Sequence, residues 1–292
     1  MRVVGAIVRR NLTLFFRDRM NVFFSLLSGL ILFVLYTLFL SRLQVDGLGQ
    51  TLPRASREDI EAFVDSWMLS GIVLLTTVTS GMGAVSVFVD DRATGRFADF
   101  LVAPIRRSQL VLGYLLSSVT VSIIMSGVIF FLTVLQLGLA RGTWLSPVQI
   151  LAAIGATVLC CVAFTALGAF GASFLKTTGA YSAFSTVVGT VLGFIAGSYI
   201  PVGSLPEGVA STINAFPFAQ GAMLLRLPFT EDTLAALAGG DSEAVTDLRE
   251  FYGVDLFVGS TAVPVWVAVS VLAAVAVVFS AISAARIRSL LR

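Results

Sequence analysis

Six apolar runs divide this chain, at 22–40, 67–89, 110–139, 148–175, 180–200 and 263–284, and none of them contains a charged residue. A helix needs about twenty residues to cross a hydrocarbon core of about 30 Å, and each run is long enough. In lipid every backbone polar group must be satisfied within the spanning segment, so such runs form helices. The expected fold is therefore an all-α membrane protein with six transmembrane helices. The composition agrees, with 57% hydrophobic and 12% charged residues and a mean hydropathy of +0.95. Runs without ionisable groups leave no proton or ion relay at membrane depth. Energy for any uphill movement then has to enter through a loop.

Before the first run, residues 1–21 place Val4, Ile7, Val8, Leu14 and Phe15 against Arg2, Arg9, Arg10 and Arg17 at helical spacing. This is the pattern of an amphipathic helix lying at the membrane interface. A cytoplasmic N-terminus puts thirteen of the 19 basic residues inside and thirteen of the 17 acids outside, which satisfies the positive-inside rule. Both termini and the 90–109 loop are then cytoplasmic, while 41–66 and 201–262 are external. Within the long outer segment, Ser242 opens a capped helix that Gly253 closes. Earlier, 205–226 is apolar but broken by proline, and reads as a re-entrant hairpin between spans five and six. The whole chain, 1–292, reads as one transmembrane domain.

The gap between the second and third runs holds the most distinctive motif. It runs Asp91-Arg92-Ala93-Thr94-Gly95-Arg96-Phe97, then Phe100-Leu101-Val102-Ala103-Pro104-Ile105-Arg106-Arg107, with Gly113 beyond. This cassette resembles the loop between spans two and three of ABC-2 type permeases. Leu205-Pro206 and Phe216-Pro217-Phe218 resemble that family's outer hairpin after span five. The chain departs from the family pattern with Asp90-Asp91 in place of Glu, Tyr114 where Lys is common, and Phe216 before the proline instead of Asn.

The resemblance implies the permease half of an ATP-binding cassette exporter in a bacterial inner membrane. It would pair with a second permease copy or paralogue and with two cytoplasmic ATPase subunits, which would hold ATP and magnesium. Nothing in the resemblance involves nucleic acid. The residues agree that ATP binds elsewhere: the sole lysine, Lys176, follows Leu175, where a phosphate-cradling loop requires glycine. No metal or other cofactor is expected, because histidine is absent and Cys160 and Cys161 are adjacent in an apolar run. The two cysteines read as packing residues.

Physically, Asp91, Arg92, Gly95, Arg96, Phe97, Phe100, Leu101, Pro104, Arg106 and Arg107 suit an ATPase-coupling loop. Asp90 and Asp91 would start a short helix, Phe97, Phe100 and Leu101 would share one face, and Pro104 would end it. A solvated basic loop that merely obeys the charge rule is the plainer alternative. For the translocation path, Thr76, Thr79, Ser80 and Gly83 share a face of the second span, and Ser182, Ser185, Thr186, Gly189, Gly193 and Gly197 one of the fifth. Close helix packing explains such faces equally well. Leu205, Pro206, Phe216, Pro217 and Phe218 are candidates for an external gate. The absence of fixed charge in the spans suits a drug-like, lipid-like or hydrophobic peptide cargo. A polysaccharide-lipid exporter shares the architecture. An ion-coupled carrier or an intramembrane enzyme would need acids or histidines at membrane depth that the runs lack.

Overall fold

The computed structural model describes residues 2–97, 100, 105–195, 200–239 and 242–290, and they are predominantly helical. Helix α1 (Arg2–Arg17) is the expected amphipathic element and buries Ile7, Asn11 and Phe15. Past Asp18 the chain enters α2 (Arg19–Leu35), which passes through a π-helical turn (Tyr36–Leu40) into α3 (Ser41–Thr51). The long helices α4 (Arg57–Ala93), α5 (Arg107–Arg141), α6 (Pro147–Ala172) and α7 (Thr178–Ile195) follow. A 3-10 turn (Val202–Ser204), α8 (Glu207–Asn214), α9 (Pro217–Leu237) and α10 (Ser242–Phe251) then form one insertion. An antiparallel pair, β1 (Phe257–Val258) and β2 (Thr261–Ala262), leads into α11 (Val265–Leu290).

Among the described residues five helices are long and apolar enough to cross a membrane: Ser25–Thr51, Arg57–Ala93, Arg107–Arg141, Pro147–Ala172 and Val265–Ile287. The expected fifth span falls on α7, whose 18 residues lead into 196–199, outside the described residues. The chain is a multi-pass helical membrane protein.

One expectation gains detail and another changes. The segment 41–66, expected to be external, is helical except at 52–56. Polar residues did not end the helices, because local support was at hand: the Ser56 hydroxyl accepts the Asp59 N–H (3.1 Å) as an N-cap, and Arg57 pairs with Glu61 one turn on (3.0 Å). Asp90 and Asp91 do not start a new helix. They lie in the last turn of α4, where the Asp90 carbonyl accepts the Thr94 N–H (2.9 Å).

Helix α4 is the axis of the bundle. It packs against α2, α3, α5, α6, α7 and α9, and 78% of its most apolar stretch is buried, against 17% for α11. Lipid supplies no hydrophobic drive between helices, so close approach depends on small residues. At Gly81 an added Cβ would lie 2.6 Å from Thr165 Oγ1 and 3.4 Å from Ser122 Oγ. Beside it the Ser122 hydroxyl donates to the Thr77 carbonyl (3.0 Å), and Cys160 and Cys161 are fully buried. The α4–α5–α6 seam is thus closed by glycine, hydroxyls and thiols.

This seam yields a stability test. Gly81→Val should lower the thermal unfolding midpoint in detergent by several degrees, since overpacking costs about 1–3 kcal/mol. Gly127→Ala, whose added methyl meets nothing, should leave it unchanged. Equal midpoints for the two variants would show that the seam is not tightly packed.

Candidate functional site

An acid in the last turn of a helix faces the negative end of the dipole and needs compensation. Asp91 is 1% exposed there. Its compensation comes from three elements. Arg10 of α1 approaches in a bidentate pair, Nη1 donating to Oδ2 (2.6 Å) and Nη2 to Oδ1 (3.1 Å). The Tyr114 hydroxyl of α5 donates to Oδ2 (2.5 Å), and Arg96 Nη1 reaches Oδ1 (3.3 Å) from the loop. The Asp91 hydrogen bond, opposed by partial burial, holds the Arg10 guanidinium above its ordinary range. Beside it Arg10 donates to Asn11 Oδ1 (2.9 Å), and Asn11 Nδ2 donates to Ser117 Oγ (3.0 Å). Gly113 lets α1 sit close, since a Cβ there would come within 2.6 Å of Ile7.

The coupling residues divide around this hub. Arg92 turns away from it, its Nη1 donating to the carbonyls of Leu175 (3.2 Å) and Ser173 (3.4 Å) at the end of α6. Gly95 takes φ +74°, the left-handed conformation that lets the chain leave α4. Phe97 is engaged within the chain, its ring against Phe88 (5.3 Å) and Tyr114 (5.8 Å). Phe100 lies under Arg10, 5.2 Å from its guanidinium. The exposed rim consists of Gly95, Arg96, Arg106 and Arg107. Leu101 and Pro104 lie outside the described residues, as does Gly197.

The path residues also divide. Thr79, Ser185, Thr186 and Gly189 line one cleft of about 260 Å³ between α2, α4 and α7, together with Gly29, Leu75 and Thr190. The Thr79 hydroxyl is buried and has no hydrogen-bond partner among the described residues. Ser182 and Thr186 are exposed on α7. Thr76 and Ser80 are not in this cleft. The Thr76 hydroxyl bonds the Ile72 carbonyl (2.8 Å) where Gly29 packs, and Ser80 faces Ser122 (3.4 Å) inside the α4–α5 seam. They are packing residues.

At the opposite end, Arg141 of α5 pairs with Asp65 (2.6 Å) and with Glu61 on α4, and the Ser41 hydroxyl donates to Asp65 (2.9 Å). The 201–262 segment is folded over this end. Leu205 and Pro206 precede α8, Phe216 caps α9 and stays half exposed, and Pro217 opens α9 as its first residue. Phe218 stacks on Phe164 (4.8 Å, 19°). Helix α9 packs on α4, α6 and α11, and only lightly on the described residues of α7.

Sequence reasoning missed Arg226 on α9. It is 1% exposed, donates Nη1 to the Gly253 carbonyl (3.2 Å) and lies 5.3 Å over Trp67. The Trp67 indole donates to the Tyr252 carbonyl (2.8 Å), and burial pushes the Tyr252 phenol up to about 12. Gly253 closes α10 as expected, at φ +63°. Arg226 stood at the edge of an apolar stretch, where nothing separated it from a solvated arginine. Arg10 was likewise indistinguishable from Arg9, although its spacing from Ile7 and Asn11 put it beside the buried face. Tyr114 was visible only as a departure, and its hydroxyl now has a partner in Asp91.

The family model described as ABC-2 type transporter matches residues 2–227. No curated protein matches the chain. The match spans most of the sequence, and the chain belongs to the ABC-2 type transporter family.

The hub is testable by a double-mutant cycle. Asp91→Asn and Arg10→Gln should each destabilise the purified protein, and the double variant should cost less than their sum, with a coupling of about 1–3 kcal/mol. Strict additivity in thermal unfolding would mean that the two groups do not act together.

Proposed function

We propose that this chain is the membrane-spanning subunit of an ATP-binding cassette exporter, moving a hydrophobic or amphipathic drug, lipid or peptide out of a bacterial cell. In this reading it is one domain of six spans, with α7 and the residues after it forming the fifth. Both termini and the 90–109 segment face the cytoplasm. Two such subunits, identical or paralogous, pair with two separate ATPase subunits that carry ATP and magnesium.

The observation that carries the reading is the Asp91 hub. A loop exposed at Gly95, Arg96, Arg106 and Arg107 is tied by one buried carboxylate to α1, α4 and α5. A partner pressing on that rim therefore displaces the axis of the bundle and not a free loop. The inward rings of Phe97 and Phe100 then serve as the loop's anchor, and its charged rim as the docking surface. Leu101 and Pro104 are assigned to the same loop by the family resemblance.

The Thr79, Ser185, Thr186 and Gly189 cleft is the proposed segment of the path. It is weakly polar and holds no charged residue, which fits an amphipathic cargo better than a small ion. Its exposed α7 margin is available to a second subunit. The hairpin from Leu205 through Phe218 is the proposed external gate, since it joins the folded outer cap to the packed interior at Phe164.

Gly95→Val should strain the left-handed turn and uncouple the complex. We expect ATP hydrolysis by the co-purified ATPase to persist while transport of a hydrophobic dye into inverted vesicles falls about ten-fold, a barrier change of roughly 1.4 kcal/mol. Undiminished dye transport by this variant would remove the coupling role from the loop.

A further inference from the structure

On the other flank of α7 from the cleft lies a second hollow, a groove of about 530 Å³ between α4, α6 and α7. Its walls include Phe164, Phe170, Phe174, Phe184, Val188 and Phe218, and every lining side chain is apolar. An occupant of this groove must therefore be apolar along its whole length. At about 30 Å³ per heavy-atom group, the liquid share of one water, the volume holds roughly seventeen groups. That is the size of one fatty acyl chain.

The groove does not end in apolar surface. At its Phe174–Leu175 end, the Arg286 guanidinium lies 3.8 Å from the centre of the Phe174 ring and donates to Ser173 Oγ (3.2 Å). Arg92 donates to the Leu175 carbonyl (3.2 Å), and the exposed Lys176 is the next residue. None of these three cations forms an ion pair among the described residues. An apolar groove of one-chain volume, ending beside three cations that have no ion-pair partner among the described residues, is complementary to a molecule with a long apolar tail and an anionic head.

We propose that this groove binds one anionic phospholipid, with an acyl chain along Phe164, Phe184 and Phe218 and the phosphate among Arg92, Lys176 and Arg286. Basic pockets between transmembrane helices on the cytoplasmic side recognise such headgroups through near-surface charge. The assignment rests on the proposed orientation only for the leaflet the lipid comes from. Because Phe184 and Val188 wall the groove while Ser185 and Gly189 wall the cleft, the bound chain would brace α7 from behind. The lipid is thus a fixed part of the path's outer wall and not the cargo.

The experiment is native mass spectrometry of the purified protein with an equimolar mixture of phosphatidylglycerol and phosphatidylcholine of matched chains. Wild type should retain phosphatidylglycerol about ten-fold over phosphatidylcholine. Lys176→Gln with Arg286→Gln should bring the two lipids close to parity, Arg286→Lys should keep the preference, and Val188→Trp, which fills the groove, should lose retention of both. Parity in wild type, a preference that survives the double variant, or unchanged retention by Val188→Trp would each overturn the assignment. So would efficient disulfide crosslinking of two Val187→Cys copies in membranes, which would put a second subunit over the groove. The readout is lipid and not transport, so failure here leaves the exporter reading standing.

Discussion

One carboxylate holds one end of this bundle together. Asp91 sits at the wrong end of a helix dipole, almost fully buried, and is stable there because guanidinium groups from α1 and from the loop, with a phenol from α5, converge on it. Removing a single partner leaves a charge without its match, which is the costly outcome for buried ions. The surface helix α1 is therefore a structural member of the bundle and not a passive float. The loop is likewise fastened, by Arg96 on Asp91 and by the Phe97 ring on Phe88 and Tyr114.

The same logic recurs at the far end. Arg141 closes α5 onto Asp65 and Glu61 of α4, so the α4–α5 pair is clasped by charge at both ends and by hydroxyls and glycine between. In lipid, where apolar faces gain nothing by meeting each other, such polar clasps and small-residue seams are what fix helix against helix. Arg226 extends the pattern into the 201–262 segment, tying α9 to the end of α10 and to Trp67. The two hollows on either side of α7 lie between these clasped regions. They differ in lining because one flank of α7 is hydroxylated and the other is aliphatic and aromatic.

Five of the expected spans and the amphipathic first helix were legible because long uncharged runs and a helical alternation of arginine with apolar residues have few other physical meanings. The extent of α10 was legible too, since the helix begins at Ser242 and Gly253 follows it at φ +63°. What stayed hidden was tertiary. The outer turns of α3 and α4 look like a loop by hydropathy, yet Ser56 and the Arg57–Glu61 pair carry the helix through them. Thr76, Thr79 and Ser80 fall within one arc of a helical projection, but the neighbours of α4 decide which of them meets a cleft and which a seam. Arg10 and Tyr114 come from positions separated by about a hundred residues, and only the fold brings them to Asp91.

The central claim is that α1 and the start of the 94–106 loop move as one body through Asp91. Double electron–electron resonance between spin labels at Arg9 and Thr94, both exposed, reads this directly in the complex with its ATPase. The account predicts one narrow distance, the same without nucleotide and after trapping with ATP and vanadate, that broadens in Asp91→Asn. A distance that shifts on trapping in the wild type, or one indifferent to Asp91→Asn, would contradict it.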